Sequence, residues 1–324
     1  PCPPSRTRLA FVMDDLGVRG DFLLKTLDEC DVRDDIDLFV AMGNEIAPTV
    51  KARGKRNIYH CQFPFPLHRV DGRNITFLDD YDEIIVNSGF TQHCTKAALQ
   101  TYGRGHIPVH VIHPPVKLNS DASTATYHPD SFTVATLGRF ITTEHMKRQD
   151  IVLQILNHLE THGVYPQGVI AGSLSTDETD VAFFEQLKTD APAHISLEAN
   201  ISRQRITDIL SRASIYIHAT GFGISPAAQP HYMEHFGITI VEAMSHGCVP
   251  LVYDAGGAAE IVRDSGIGYT FTTIEGAVDK LKRYHALPEA ERKKMAMKAF
   301  KAAQKYDESH FLTAWHAVAA AKAS

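Results

Sequence analysis

At 324 residues the chain is longer than the size at which one hydrophobic core usually keeps growing, so its length points to two domains. Its 44% apolar content can fill both cores, and a formal net charge of -6 provides no overall basic field, which excludes a dedicated nucleic-acid binder held by phosphate contacts. Five scattered cysteines without C-x-x-C spacing indicate reduced thiols rather than a disulfide framework or zinc knuckle, and no run nears the roughly 20 apolar residues of a membrane-spanning helix.

The opening Pro1-Cys2-Pro3-Pro4 has neither an initiator methionine nor a charged-then-apolar leader. This suggests a soluble, cytoplasmic chain that has lost upstream sequence. Short apolar runs then alternate with segments of helical period, the rhythm of βαβ units and parallel sheets, and the fold class is α/β. Strands are predicted over Arg8–Met13, Ile36–Ala41, Asn57–His60, Glu83–Asn87 and Val109–Ile112, with a helix over Phe90–Thr101. Leu16-Gly17-Val18-Arg19-Gly20, after the first strand, reads as a glycine-rich loop whose backbone at Gly17 can approach a phosphate. Lys117–Asp130 lacks apolar periodicity and follows Pro114-Pro115, so it is the expected linker, with domains over 1–125 and 126–285.

The second series places strands at Phe132–Leu137, Gly168–Ala171, Ile195–Leu197, Ile215–His218 and Val249–Tyr253. Helices are expected around Gln149–Thr161, Glu178–Leu187, Gln204–Arg212, Thr239–His246 and Ala258–Val262. A terminal helical region, 286–324, is expected to pack on either domain.

The densest signal is Glu234-His-Phe-Gly-Ile-Thr-Ile-Val-Glu242-Ala-Met, followed by Gly247-Cys-Val-Pro250 and Asp254-Ala-Gly-Gly257-Ala-Ala-Glu260. With a helix starting near Thr239, Glu234 precedes its N-terminus and Glu242 lies about one turn inside. The free N–H groups of such a terminus suit a diphosphate resting on Phe236, Gly237, Ile238 and Thr239. Carboxylates beside a phosphate are tolerable when they face hydroxyls, and a vicinal diol can give an ionised carboxylate two hydrogen bonds.

The pattern E-x-F-G-x-x-x-x-E-A-M, G-x-V-P and GG-x-x-E resembles the donor-site signature of glycosyltransferase family 4, retaining enzymes of the GT-B architecture, two Rossmann-like domains facing across a cleft. The resemblance implies that Glu242 holds the ribose diol, Glu234 the donor sugar hydroxyls, and the Phe236–Thr239 backbone the phosphates and sugar. Thr136-Leu-Gly138-Arg139-Phe140 with Met146-Lys147-Arg148 is similar to the family's strand-to-helix turn, in which Arg139 and Lys147 would contact the diphosphate after the tight turn at Gly138; Arg148 stands where a glycine is expected. His60, at a strand's C-terminal end within Asn57-Ile-Tyr-His60-Cys-Gln-Phe-Pro-Phe-Pro66, is the candidate active-site histidine. Little sequence separates Gly17 from His60, so the N-terminal domain looks shortened.

Asp14-Asp15 and Asp79-Asp80-Tyr81-Asp82 read as turn formers and caps rather than a metal-binding D-x-D, and His106, His110 and His113 lack metal-ligand spacing, so neither a metal nor a cofactor is expected. The resemblance implies a nucleotide-sugar donor, UDP- or GDP-linked, a glycan or lipid-linked acceptor, a place in polysaccharide or glycan assembly, and room for peripheral membrane contact. Alternatives are a GT-B epimerase or phosphorylase and a non-catalytic GT-B module. A nicotinamide enzyme is disfavoured, because no G-x-G-x-x-G follows a first strand.

Overall fold

The computed structural model describes residues 36–64, 74–119, 132–143 and 145–320. The predicted Arg8–Met13 strand, Gly17 and most of the predicted linker lie outside the described residues. Two parallel sheets carry the fold. The first runs β1 (Leu38–Gly43), β2 (Arg56–Cys61), β3 (Glu83–Val86) and β4 (Val109–Val111) in that spatial order. Helix α1 (Gly89–Thr101) connects β3 to β4. Strand β3 is buried along its whole length, as parallel strands covered on both faces are.

The second sheet comprises β5 (Thr133–Leu137), β6 (Gln167–Gly172), β7 (Ile195–Ala199), β8 (Ile215–His218), β9 (Val249–Tyr253) and β10 (Tyr269–Phe271). Their order is β10-β9-β8-β5-β6-β7. From β5 the chain winds outward through β6 and β7, then returns to pair β8 against β5 and winds the other way. The strand order therefore reverses between β5 and β8, and open α/β sheets hold their ligands beyond the carboxyl ends of the strands at such a point. The helices are α2 (Gln149–Glu160), α3 (Glu178–Asp190), α4 (Arg203–Arg212), α5 (Ile238–Ser245), α6 (Gly256–Ser265) and α7 (Ile274–His285).

Alternation along β8 shows how this sheet is filled. Ile215 and Ile217 face the cluster that includes Leu156 of α2 and Leu281 of α7. Tyr216 faces the opposite cluster, with Leu210 of α4, Ile240 of α5 and Ile261 of α6. Strand β10 and helix α7, which the sequence pattern did not reveal, complete one edge of the sheet.

The C-terminal helical region divides between the domains. Helix α8 (Glu289–Ala303) contributes Ala299 and Ala303 to the second domain's core. A 3-10 turn over Gln304–Tyr306 redirects the chain, and Asp307 accepts from the His310 amide at 2.9 Å to start α9 (Glu308–Ala320). Phe311, Trp315 and Val318 of α9 then pack on Ile58, Ile85 and Ile112 of the first sheet.

Close backbone approach fixes the end of β5 against β6. The Gly138 amide donates to the Ala171 carbonyl at 2.9 Å, and a Cβ on Gly172 would stand 1.8 Å from the Gly138 oxygen. The space belongs to backbone, so no rotamer change relieves the clash. We expect Gly172→Ala to destabilise the protein by about 1–3 kcal/mol in urea unfolding, the range for overpacking a well-filled site. An unchanged midpoint would show that the two strand ends do not meet this closely.

Candidate active site

Two strand ends define the site. Beyond β5 the chain turns at Gly138, and a Cβ there would lie 2.6 Å from Lys147 Cγ, so the missing side chain makes room for the lysine stem. Arg148, in the place expected of glycine, is left-handed at φ 53° and forms the N-cap of α2. A non-glycine residue in that region costs about 1–3 kcal/mol. Its guanidinium compensates by binding Asp150 through Nε at 3.0 Å and Nη2 at 2.9 Å and by donating to the Phe222 carbonyl. The turn thereby aims Lys147 Nζ at Glu234 Oε2, 2.7 Å away.

Beyond β8, two polar tips on one face of a buried strand support the other side. Tyr216 OH lies 2.9 Å from the Leu137 carbonyl oxygen and 2.8 Å from Thr239 Oγ1, tying the end of β5 to the start of α5. His218, two residues on, places Nε2 2.8 Å from the same Glu234 Oε2 that Lys147 meets. Burial pushes the Glu234 carboxyl upward, but Lys147 and His218 outweigh it and hold the group well below the usual carboxylate range. Glu234 is thus ionised.

The backbone of this loop is fixed from behind by Gly256 and Gly257. Cβ atoms there would stand 2.4 Å from the Glu234 carbonyl oxygen and 2.3 Å from that of His235, and the Gly257 amide donates to the former at 2.7 Å. Gly237, at φ 110°, caps α5 in a conformation suited to glycine. Phe236 turns its side chain into the core, stacked on His113 and against Tyr306, so it meets the cleft through its backbone. Ile238 is instead exposed at the cleft.

These residues border a cleft of about 580 Å³ between the two sheets, lined by Gly138, Arg139, Lys147, Glu234 and 236–239 from the second domain and by His60, Gln62 and Asn87 from the first. An adjoining cavity of about 500 Å³ shares Gly138, Arg139 and Thr239 with it and extends to Gly172, Asn200, Arg203 and Glu242. Arg139 is exposed where the two meet, its carbonyl held by Gln149 Nε2 at 3.1 Å. Glu242 is buried one turn inside α5, and burial raises its pKa against the pull of its ion-pair partner Arg203. His60 is buried at the end of β2, its ring 5.5 Å from that of Trp315 in an edge-on contact, and burial lowers its pKa.

The structure brings together Glu234, Lys147, Arg139, Gly138, His60 and the 236–239 turn, with Glu242 in the adjoining cavity; Gly17 lies outside the described residues. The acidic run near residue 80 serves the first domain's own structure: Asp79 binds Arg104 through both oxygens, and Asp82 accepts from the Asn57 amide. Sequence reasoning missed His218, Tyr216 and Glu260. The signal for the first two was Ile-Tyr-Ile-His, a buried strand with polar tips at alternate positions. Glu260 closes the gap between domains, accepting from the Gly89 and Phe90 amides at 2.8 and 2.7 Å and so capping α1 from the opposite domain. Ser88 adds a 2.5 Å bond to the His235 carbonyl.

Residues 128–302, more than half of the chain, match the family of glycosyl transferases group 1. A GDP-Man:Man(3)GlcNAc(2)-PP-Dol alpha-1,2-mannosyltransferase of Dictyostelium discoideum is 28% identical over 178 residues, 51% of this chain and 33% of that one. The corresponding protein of Yarrowia lipolytica is 25% identical over 240 residues, 68% and 36% of the two chains. The chain therefore spans about a third of the length of these curated relatives. Among solved structures, a UDP-forming alpha,alpha-trehalose-phosphate synthase from Burkholderia vietnamiensis superposes with a TM-score of 0.64 at 13% identity, covering 82% of this chain and 69% of that one. The pneumococcal O-GlcNAc transferase GtfA, in complex with UDP and GlcNAc, gives 0.60 at 14%, covering 82% and 52%. The shared architecture is GT-B.

Burial pushes His235 down to about 4, with nearby Glu234 opposing, and lowers His60, His113 and His246 as well. A histidine depressed in the fold binds its proton more readily in the unfolded chain, so stability present above pH ~6.5 is lost as pH falls towards 4. For His235 the gap from 6.5 to about 4 corresponds to at most about 3 kcal/mol. Urea unfolding at pH 7.5, 6 and 5 should show this decline, with a shallower slope for His235→Gln. Identical slopes for the two proteins would contradict the assignment.

Proposed function

The chain belongs to the group 1 glycosyltransferases, and from that premise we propose that it moves a hexosyl group from a nucleoside diphosphate sugar to an acceptor hydroxyl with retention at the anomeric carbon. One observation carries the reading: two cations, an ionised carboxylate and the start of a helix meet in one cleft, and the cavity holding Glu242 opens from it across Arg139 and Thr239. Such a pair of spaces suits a donor whose diphosphate lies at the junction. Its sugar would extend towards Glu234 and its nucleoside towards Glu242.

The chemistry follows from where charge develops. As the glycosidic bond breaks, negative charge grows on the leaving diphosphate, and Arg139, Lys147 and the amides at the start of α5 stabilise it more in the transition state than before. Retention is read as a front-face path in which the leaving diphosphate helps to deprotonate the acceptor. His60 stands across the cleft from the cations, on the first domain, where it can meet the donor sugar. The nucleotide-sugar is the only co-substrate this chemistry requires, and no metal enters it.

Both curated relatives are named for GDP-Man as donor and a dolichol-linked glycan as acceptor, which supports GDP-mannose as the first donor to test and a lipid-linked or free glycan as acceptor. Among the described residues no helix is long and apolar enough to cross a membrane; peripheral contact with a lipid-borne acceptor is part of this proposal.

Three outcomes test this reading. Glu242→Ala should weaken GDP or UDP binding by about 30-fold or more in calorimetry, the value of two hydrogen bonds to a charged acceptor. Glu234→Ala should hold or tighten nucleotide binding, since it frees Lys147, while abolishing most turnover. Arg139→Ala should lower kcat by about 10²–10³-fold without lowering Tm, with partial recovery in Arg139→Lys, which keeps charge but loses the guanidinium fork. A product of inverted configuration in NMR, or an Arg139→Ala protein of normal kcat and low Tm, would refute the mechanism.

A further inference from the structure

Glu234 Oε2 carries two donors, Lys147 Nζ at 2.7 Å and His218 Nε2 at 2.8 Å, whereas Oε1 has no hydrogen-bond partner among the described residues. The two donors differ in freedom. Lys147 sits on a turn, reaches Glu234 through a flexible four-carbon stem and lines the cleft into which a diphosphate would come. His218 ends a buried strand, is 2% exposed, and its ring lies near parallel to that of Tyr216, 6.3 Å away. Its ring turns about fewer bonds than the lysine stem, and burial leaves it little room to follow a moving partner. A diphosphate entering the cleft competes with Glu234 for Lys147, and a doubly charged phosphate chain outbids a single carboxylate that already has a second donor.

We infer that His218 is the positioning residue of this site: it holds the Glu234 carboxylate by one oxygen when Lys147 moves to the donor diphosphate, leaving the other oxygen turned to the donor sugar. The inference rests on the proposed donor geometry and adds a sequence of contacts to it. Lys147 pairs with Glu234 and neutralises a partly buried carboxylate. When the diphosphate arrives the ion pair exchanges partners, and the carboxylate stays ionised and in place because the histidine remains. An ionised carboxylate requires the proton on Nε2, which either the Nε2–H tautomer or the doubly protonated ring supplies. Losing Lys147 and His218 together would strip the partly buried Glu234 carboxylate of both donors it has among the described residues.

The test compares His218→Leu, which removes the donor, with His218→Gln, whose amide nitrogen can reach the Nε2 position. GDP and UDP binding are read by calorimetry, and donor hydrolysis is read with GDP-mannose and UDP-glucose across pH 4.5–8. His218→Leu is expected to bind GDP or UDP within about twofold of wild type but to lose about 10- to 100-fold in kcat, the effect of one hydrogen bond to a charged group. The acidic limb of its kcat profile should move to higher pH, because Glu234 then protonates more readily. His218→Gln should keep the wild-type limb and recover most of the rate, which a role in packing alone would not produce.

Wild-type kcat and an unmoved limb in His218→Leu would overturn the inference. So would equal losses in the Leu and Gln variants; if His218→Leu fails to fold, His218→Gln alone decides, and an acidic limb displaced to higher pH with a kcat at least about 10-fold below wild type would overturn the inference. Wild-type protein that bound neither nucleotide and hydrolysed neither sugar nucleotide would overturn the functional reading itself, and the inference with it.

Discussion

A carboxylate largely taken out of water at the floor of a cleft must be compensated locally, and the partly buried Glu234 sets the terms for the residues around it. Lys147 can reach it because Gly138 has no side chain to block the lysine stem. His218 can reach it because β8 pairs with β5, so the ends of both strands open on the same crevice. The reversal of strand order between β5 and β8 is therefore an electrostatic device as well as a topological one: it brings a cation from one winding and an imidazole from the other onto one oxygen atom. Tyr216 repeats the arrangement one strand period earlier, where it fastens Leu137 to Thr239 and fixes the start of α5 relative to the turn at Gly138.

The GG-x-x-E segment shows how the cleft acquires its second wall. Gly256 and Gly257 let α6 begin against the backbone of Glu234 and His235, where any side chain would collide with carbonyl oxygens. That contact sets the position of α6, and with it Glu260, whose two oxygens satisfy the first two amides of α1 in the other domain. Ser88 then closes its own capping box with Thr91 and bonds to the His235 carbonyl. One short stretch thus supports the floor of the cleft and couples both domains through a charge at a helix N-terminus. The α9 helix secures the other side, its Phe311 and Trp315 lying on the first sheet after α8 has packed in the second.

Much of this was legible in the sequence where local patterns and local structure coincide. The strands over 215–218 and 249–253 match their predicted bounds, and the helix before Glu242 starts one residue from where the spacing put it. The Glu234–Glu242 pair, and Arg139 with Lys147, stood out because each pair falls in one short stretch that resembles a family motif, and the structure sets all four along the two joined cavities. Partners joined by tertiary contact were not. Nothing within a few residues of His218 announces Glu234, sixteen positions on, and nothing near Glu260 announces an amide 171 positions away. Arg148 shows a further limit: the resemblance put a glycine there, and the structure shows why, with a left-handed backbone that a side chain bound to Asp150 and the Phe222 carbonyl also meets. The division of the terminal helical region was hidden because Asp307 lies within a continuous Ala- and Lys-rich stretch, and only its capping bond to His310 marks a new helix.

The two glutamates of the signature end in opposite electrostatic settings, and the contrast matches the division of labour proposed for them. Glu234 is over-compensated, with two donors on a single oxygen and a pKa held low. Such a carboxylate can surrender one donor to an incoming phosphate and remain an anion. Glu242 is under-compensated: burial dominates, and Arg203, itself about half exposed, only partly offsets it, so the carboxyl is displaced upward. A group in that state gains from further hydrogen-bond donors, and a ribose diol offers two. The loop before α5 therefore presents an acid stable without its ligand, and the helix itself one that the ligand completes.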